Sequence, residues 1–306
     1  MRFAIPIPQF VEDGTFDPLA FRAYLRRAEE LGFDSAWTME QVLGSMPNLG
    51  PIETMTYAAA CTDRLRLGCA VFVSPLHSPV HLAKSLSTLD QLSGGRLDVG
   101  VGLGGRYRMF SAFRVDPDDL VPRFTEGLAV MKALWTQSSV AFDGRFWQLD
   151  GAAMEPKPFQ KPHPPVWFGG HSPTALRRAV RHGDGFFGAG SSTTGEFADQ
   201  VRAVRETLRQ DGRDAGAFRI AKRVYVAVDD DGERAHRRIA DALNRLYGYF
   251  GFKDLTSTAV HGPPEACVRG LREVADAGAE LILANPLFDD TEQMERLAAD
   301  VLPHLA

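Results

Sequence analysis

Cysteine is scarce in this chain: three among 306 residues, at Cys61, Cys69 and Cys267, with no CxxC spacing. That rules out a disulfide framework and a zinc-ribbon pattern; each thiol reads as a small buried hydrophobe in a reducing compartment. A long apolar run is missing too. No stretch approaches the roughly 18 residues that a membrane-spanning helix needs. The start, MRFAIPIPQF, has neither the basic residues nor the apolar run of a secretory signal, so the expected location is the cytoplasm. Nor is there a block of Lys or Arg. The net charge is −5 with the signs intermixed, which argues against nucleic acid or a membrane surface as partner. A small molecule is the expected partner. What the chain does have is apolar material, 44% hydrophobic against 24% charged, enough for a large core.

That material is arranged as strand, helix, strand, helix. Apolar or β-branched runs predict strands over about 3–8, 34–39, 65–73, 97–101, 166–168, 185–188, 220–228 and 280–284. Between them lie helical patterns. Asp17-Pro18 opens one that Gly32 stops, a second covers about 52–61, and Pro79 opens a third that carries Leu82, Leu86 and Leu89 and ends at Gly94. Further ones run over about 233–246 and through Met294, Leu297 and Val301. Eight such units predict an α/β fold, a (β/α)8 TIM barrel over residues 1–306 as a single domain. An insertion after strand four, about 105–160, interrupts the rhythm. It holds a helix with Phe124, Leu128, Met131 and Trp135 on one face, a hairpin pattern around Asp143-Gly144 and the Pro-rich run 156–165. Trp37 and Phe72 read as core.

The run PVWFGGHSPTALRRAVRHGDGFFGAGSSTTGE, 165–196, is the most informative segment. A strand ends in Gly169-Gly170-His171, and a helix opens with Ser172 as N-cap and Pro173 at its first position. The next strand ends in Gly190-Ser191-Ser192, with Thr193 and Glu196 spaced as a capping box. Two Gly/Ser turns, each ahead of a helix N-terminus, present amides to an anion and read as one phosphate site. Plain loop chemistry is the alternative. Gly100-x-Gly102-x-x-Gly105 also matches the dinucleotide fingerprint, but no second strand ending in an acid follows, so that reading is set aside.

Four stretches carry a resemblance: GFDSAWTMEQ (32–41), TDRLRLGCAVFVSP (62–75), SPVHLAKSLSTLDQLSGGRLDVGVGLG (78–104) and PKPFQKPHPPVWFGGHSPTALRRAVRHGDGF (156–186). In order and over nearly the whole chain, they resemble the bacterial luciferase-like flavoprotein oxidoreductases, which use FMN or the deazaflavin F420 on a TIM barrel. The resemblance implies a cofactor across the C-terminal mouth of the barrel and a homo-oligomer, a dimer. Gly169, Gly170, His171, Gly190 and Ser191 would then hold its phosphate. Ala70 and Val71 match the family's bulge with a non-proline cis peptide behind the ring, although the residues alone read as ordinary trans strand. Gly102 and Gly104 would let the backbone pass close to cofactor or substrate.

Two departures bear on the chemistry. Where many F420-dependent members carry Asp-His, this chain reads Glu40-Gln41, and glutamine cannot titrate. Where the sugar-phosphate dehydrogenases carry an acid after strand four, it has Gly105. Sugar-phosphate oxidation therefore lacks its acid–base pair. What the resemblance implies is reductase or monooxygenase activity on a small organic molecule, with Glu40, Tyr107 or water supplying a proton. Glu40 reads equally as a cofactor contact or as half of an internal salt bridge, and His77 as a loop histidine. Gln9 and His171 join these residues near the mouth. Arg106 and Arg108 read as an anion-attracting pair or as solvated charges. Lys222-Arg223 reads as structural, with an inward Arg needing a carboxylate partner. No metal site is expected. Two rivals remain: a flavin-binding protein without turnover, and an unrelated phosphate-binding barrel such as an aldolase or hydrolase.

Overall fold

Apolar runs and amphipathic runs alternate in space as they do in sequence. In the computed structural model, which describes residues 1–11, 14–44, 46–104, 108–248 and 255–305, the chain runs β1 (Arg2–Pro6), α1 (Pro18–Glu30), β2 (Ser35–Thr38), α2 (Pro51–Cys61) and β3 (Arg66–Val73). It continues through α3 (Pro79–Leu92), β4 (Leu97–Gly102), α4 (Leu120–Thr136), β5 (Val140–Asp143), β6 (Gln148–Ala152), β7 (Val166–Gly169) and α5 (Pro173–His182). Then come β8 (Gly185–Gly188), α6 (Thr194–Gln210), β9 (Arg219–Val228), α7 (Gly232–Tyr247), β10 (Ala259–Gly262), α8 (Pro264–Asp276), β11 (Leu281–Asn285) and α9 (Asp290–Arg296). Gly105, Arg106, Tyr107 and the side chain of Arg108 lie outside the described residues.

Hydrogen bonding orders the strands β9-β11-β1-β2-β3-β4-β7-β8, and β8 pairs with β9 again. That ring is the closed parallel sheet of a (β/α)8 barrel. The eight predicted strands are its eight members, and the hairpin β5–β6 falls in the predicted insertion. One unit was not anticipated. Between β9 and β11 the structure adds β10 and α8, with β10 parallel to β9 outside the ring. Four residues followed by Pro263-Pro264 are too short a run to show a period.

Packing divides the chain into two compact units, Met1–Pro8 with Leu19–Trp37 and Gly170–Ala306, and Gln9–Pro18 with Thr38–Gly169. In the first, Trp37 is buried edge-on against Phe187 at 4.7 Å, with its indole N–H on Ser35 Oγ. In the second, Phe72 and Trp135 are fully buried, and Phe124 meets Phe168 edge-on at 5.5 Å. The three cysteines are buried and free, and burial pushes the Cys267 thiol up to about 12.

The SGGR run that ends α3 has a mechanical reason. Gly94 and Gly95 take positive φ (64° and 85°), turning the chain so that Arg96 reaches Ala59 O and Leu65 O at 2.9 Å and Thr62 Oγ1 at 2.8 Å. The guanidinium thus satisfies carbonyls at and beyond the end of α2. Asp98 on β4 does similar work inside the second unit. Its side chain is 4% exposed and accepts from Arg66 Nε at 2.7 Å and Trp167 Nε1 at 2.9 Å. Asp98→Ala removes the acceptor of the Trp167 indole N–H and the counter-ion of Arg66, which keeps Gly95 O, Leu97 O and Gln160 Oε1, so it is expected to cost about 1–3 kcal/mol in urea unfolding. A loss under about 1 kcal/mol would show that water replaces the carboxylate freely.

Candidate active site

Barrel enzymes work at the C-terminal ends of their strands, and there β3 departs from regular pairing. Its register against β4 shifts between Cys69 and Phe72, and the Ala70–Val71 peptide is cis. The bulge needs room, and glycines provide it. A Cβ at Gly100 would sit 2.0 Å from Cys69 O. At Gly102 and Gly169 it would sit 2.6 and 2.9 Å from the Val71 methyls, and at Gly104 (φ +71°) 2.8 Å from a Val73 methyl. The sequence reading gave Gly102 and Gly104 to close approach of a cofactor. In the structure β3 itself presses on both.

Just beyond the bulge, the Val73 amide donates to Glu40 Oε2 at 2.6 Å, and Glu40 Oε1 lies 2.8 Å from His77 Nε2. The carboxylate is 3% exposed and His77 25%. Both Glu40 oxygens are therefore engaged, as burial of a carboxylate requires. Of the two readings of Glu40, the internal pair is the one observed, and His77 is its partner rather than an idle loop residue. The 3₁₀ turn Ser74–Leu76 presents that histidine, and the His77 amide closes it on Ser74 O at 3.1 Å. Gln9, 2% exposed, holds the approach to Glu40: its amide nitrogen donates to Met39 O (2.7 Å) and Leu49 O (2.6 Å), and its oxygen accepts from Met39 N (2.9 Å). Gln41 Oε1 and Ser74 Oγ are buried with no hydrogen-bond partner among the described residues. Ser74, His77, Arg123 and Trp147 also line a small cavity.

The first unit holds the two Gly/Ser turns. Ser172 caps α5, accepting from the Ala175 amide at 3.3 Å, with Pro173 at its start. Gly170 has φ +149°, a conformation side chains rarely adopt, and a Cβ there would lie 2.9 Å from Ala175 Cβ. Thr193 and Glu196 form the predicted capping box, and the Thr193 amide and hydroxyl hold the Glu196 carboxyl below its usual range. The amides of Gly170, His171, Gly190 and Ser191 donate to nothing among the described residues. His171 is exposed. Two residues that the sequence reading did not place in a site lie here. Tyr225 packs on Gly190, where a Cβ would come within 2.5 Å of its ring, and shares a 2.6 Å hydrogen bond with the Tyr247 hydroxyl. Lys222 is 1% exposed and donates to Ala189 O and to Ser192 O (2.9 Å). Of the pair Lys222-Arg223, Lys222 is buried and backbone carbonyls accept from its ammonium.

Among the described residues no helix is long and apolar enough to cross a membrane, and no three His, Cys, Asp or Glu side chains are grouped to hold a metal ion.

The chain belongs to the luciferase-like monooxygenase family, whose model matches residues 1–281. It is 31% identical to an FMNH2-dependent dimethylsulfone monooxygenase of Pseudomonas putida over 222 residues, 71% of this chain and 60% of that one. The chain thus spans less than two thirds of that relative's length. Among solved structures, a monooxygenase from Streptomyces bottropensis superposes with a TM-score of 0.85 at 25% identity, covering both chains in full. An F420-dependent secondary alcohol dehydrogenase gives 0.85 at 18% identity over 100% of this chain and 99% of that one, which shows the shared fold.

Proposed function

We propose that this protein is an oxidoreductase that uses FMN or F420 to reduce or monooxygenate a small organic substrate. The family match over residues 1–281 carries the reading. Two further features support it. The turns at Gly170 and at Gly190-Ser191 offer unspent amides ahead of helix N-termini, which suits a phosphate. Gln41 Oε1 and Ser74 Oγ are buried polar atoms that a bound group would satisfy. In this reading Gly169, Gly170, His171, Gly190 and Ser191 hold the phosphate, while Ala70, Val71, Gly102 and Gly104 shape the ring end. The bound cofactor supplies the two electrons.

This chain's own residues supply orientation and the proton. With both Glu40 oxygens engaged, Glu40 acts as the orienting partner, and His77 takes the proton-carrying role first given to Glu40 or Tyr107. Gln41 leaves no titrating group in the place of the family's histidine, so reduced-cofactor chemistry is favoured over sugar-phosphate oxidation. A single domain, a homodimer and a cytoplasmic location complete the reading.

Titration of the apo-protein with FMN and with F420 tests it. One of them is expected to bind, and Gly170→Val, which adds a side chain at φ +149°, is expected to weaken that binding more than tenfold, about 1.4 kcal/mol. Binding of neither cofactor would end the reading. Binding without bleaching by any substrate would favour a carrier.

A further inference from the structure

We infer that Lys222 is a positioning residue for the turn 189–192, holding the Gly190 amide outward toward an anion. The inference rests on reading that turn as the phosphate site. Lys222 lies opposite Gly188 in the β8–β9 ladder, and its stem runs across that glycine, where a Cβ would sit 3.0 Å from Lys222 Cδ and 2.7 Å from the Phe197 ring. The ammonium, 5.8 Å from the centre of that ring, donates to the carbonyls at the two ends of the turn, Ala189 O and Ser192 O. The Ser192 amide closes the turn on Ala189 O at 3.2 Å, leaving Gly190 and Ser191 at its apex.

Peptide geometry does the rest. In a trans peptide the C=O and the next N–H point in opposite directions. Drawing Ala189 O toward Lys222 turns the Gly190 N–H away from it. Drawing Ser192 O inward does the same to the Thr193 N–H, which the Glu196 carboxylate accepts at 2.8 Å. No carboxylate forms an ion pair with Lys222 among the described residues, so a buried positive charge sits behind the turn without a counter-ion in contact. A buried cation of that kind favours an anion in front of the turn.

The charged groups that act on it are Arg223 on its own strand and Glu196 on α6, with His171 in the field of Glu196. Burial first, and then Arg223, push the Lys222 ammonium down to about 7. Its charge is therefore held below pH 7 and lost as pH rises through that value, and anion affinity should follow the same course. An anion bound in front of the turn shifts the midpoint upward, because it favours the charged form.

The test is calorimetric titration of the intact protein with FMN, with F420 and with sulfate, whose charge is constant from pH 6 to 9. Sulfate is titrated in the wild-type and Lys222→Met proteins side by side, so that any pH dependence common to both is set aside. Sulfate affinity is expected to fall at least tenfold between pH 6 and 9, and Lys222→Met to weaken both sulfate and the bound cofactor at least tenfold at pH 6 while flattening the pH profile. If Lys222→Met fails to fold, Lys222→Arg, whose guanidinium stays charged throughout, is expected to flatten the profile in its place. Binding with a flat profile, or undiminished binding by Lys222→Met, overturns the inference and leaves the phosphate site standing. No binding of either cofactor or of sulfate overturns the phosphate reading itself, and this inference with it.

Discussion

Replacing His77 by glutamine is expected to lower turnover by about a hundredfold or more, with cofactor affinity nearly unchanged. Among the described residues the ring has one hydrogen-bond partner, and the Phe72 ring meets it edge-on at 6.3 Å. Its Nε2 lies 2.8 Å from Glu40 Oε1, and the carboxylate is fixed in turn by the Val73 amide at 2.6 Å. A carboxylate accepts and does not donate, so it keeps the proton on Nε2 and leaves Nδ1 to take up or deliver one. A placed side chain in that role is typically worth about 10²–10⁴-fold. Glutamine keeps a polar group of similar reach but cannot titrate. The decisive measurement is kcat on the acceptor that the wild-type protein turns over, taken beside cofactor affinity. Glu40→Gln, whose single amide oxygen can accept from the Val73 amide or from His77 Nε2 but not from both, should lower the rate less. An unchanged rate would return both residues to a structural role.

Gly100→Ala is expected to be severely damaging. The new Cβ would lie 2.0 Å from Cys69 O, 3.2 Å from Cys69 C and 3.4 Å from Ala70 Cα, all backbone of the adjacent strand. A flexible side chain would swing away; a buried, hydrogen-bonded strand has nowhere to go. Overpacking in cores typically costs about 1–3 kcal/mol where side chains can adjust, so a loss of about 3 kcal/mol or more is expected here, seen as insoluble protein or a sharply lower urea midpoint. Gly195→Ala is the control. It lies in α6 with nothing within 4 Å of its Cβ, and the same methyl group should stabilise the protein by about 0.5–1 kcal/mol. Similar midpoints for the two variants would mean that the β3 bulge re-forms around the added group.

The reading of 165–196 shows how far local rules reach. Ser172, Pro173, Thr193 and Glu196 do in the structure what their positions predict, because a helix start is satisfied by residues within three places of it. The same holds for the eight barrel strands and for the buried face of α4 with Phe124, Leu128, Met131 and Trp135. Where the sequence is silent, the deciding partner is distant in it. Gly102 and Gly104 meet Val71 and Val73 of β3. Glu40 and His77 are 37 residues apart, and neither betrays the other in the sequence. β10 is four residues long, and its pairing with β9 is what makes it a strand.

The sequence by itself determined the alternation, the barrel class, the helix caps and the family, since each is written in spacings of a few residues or in motifs that run in order along the chain. Only the tertiary structure decided which polar groups are paired: the Glu40 carboxylate between Val73 and His77, and the Lys222 ammonium beneath the turn 189–192. The physical reason is burial. A charge taken out of water must find its partners, and which groups are near enough to serve is fixed by the packing of strands far apart in the chain.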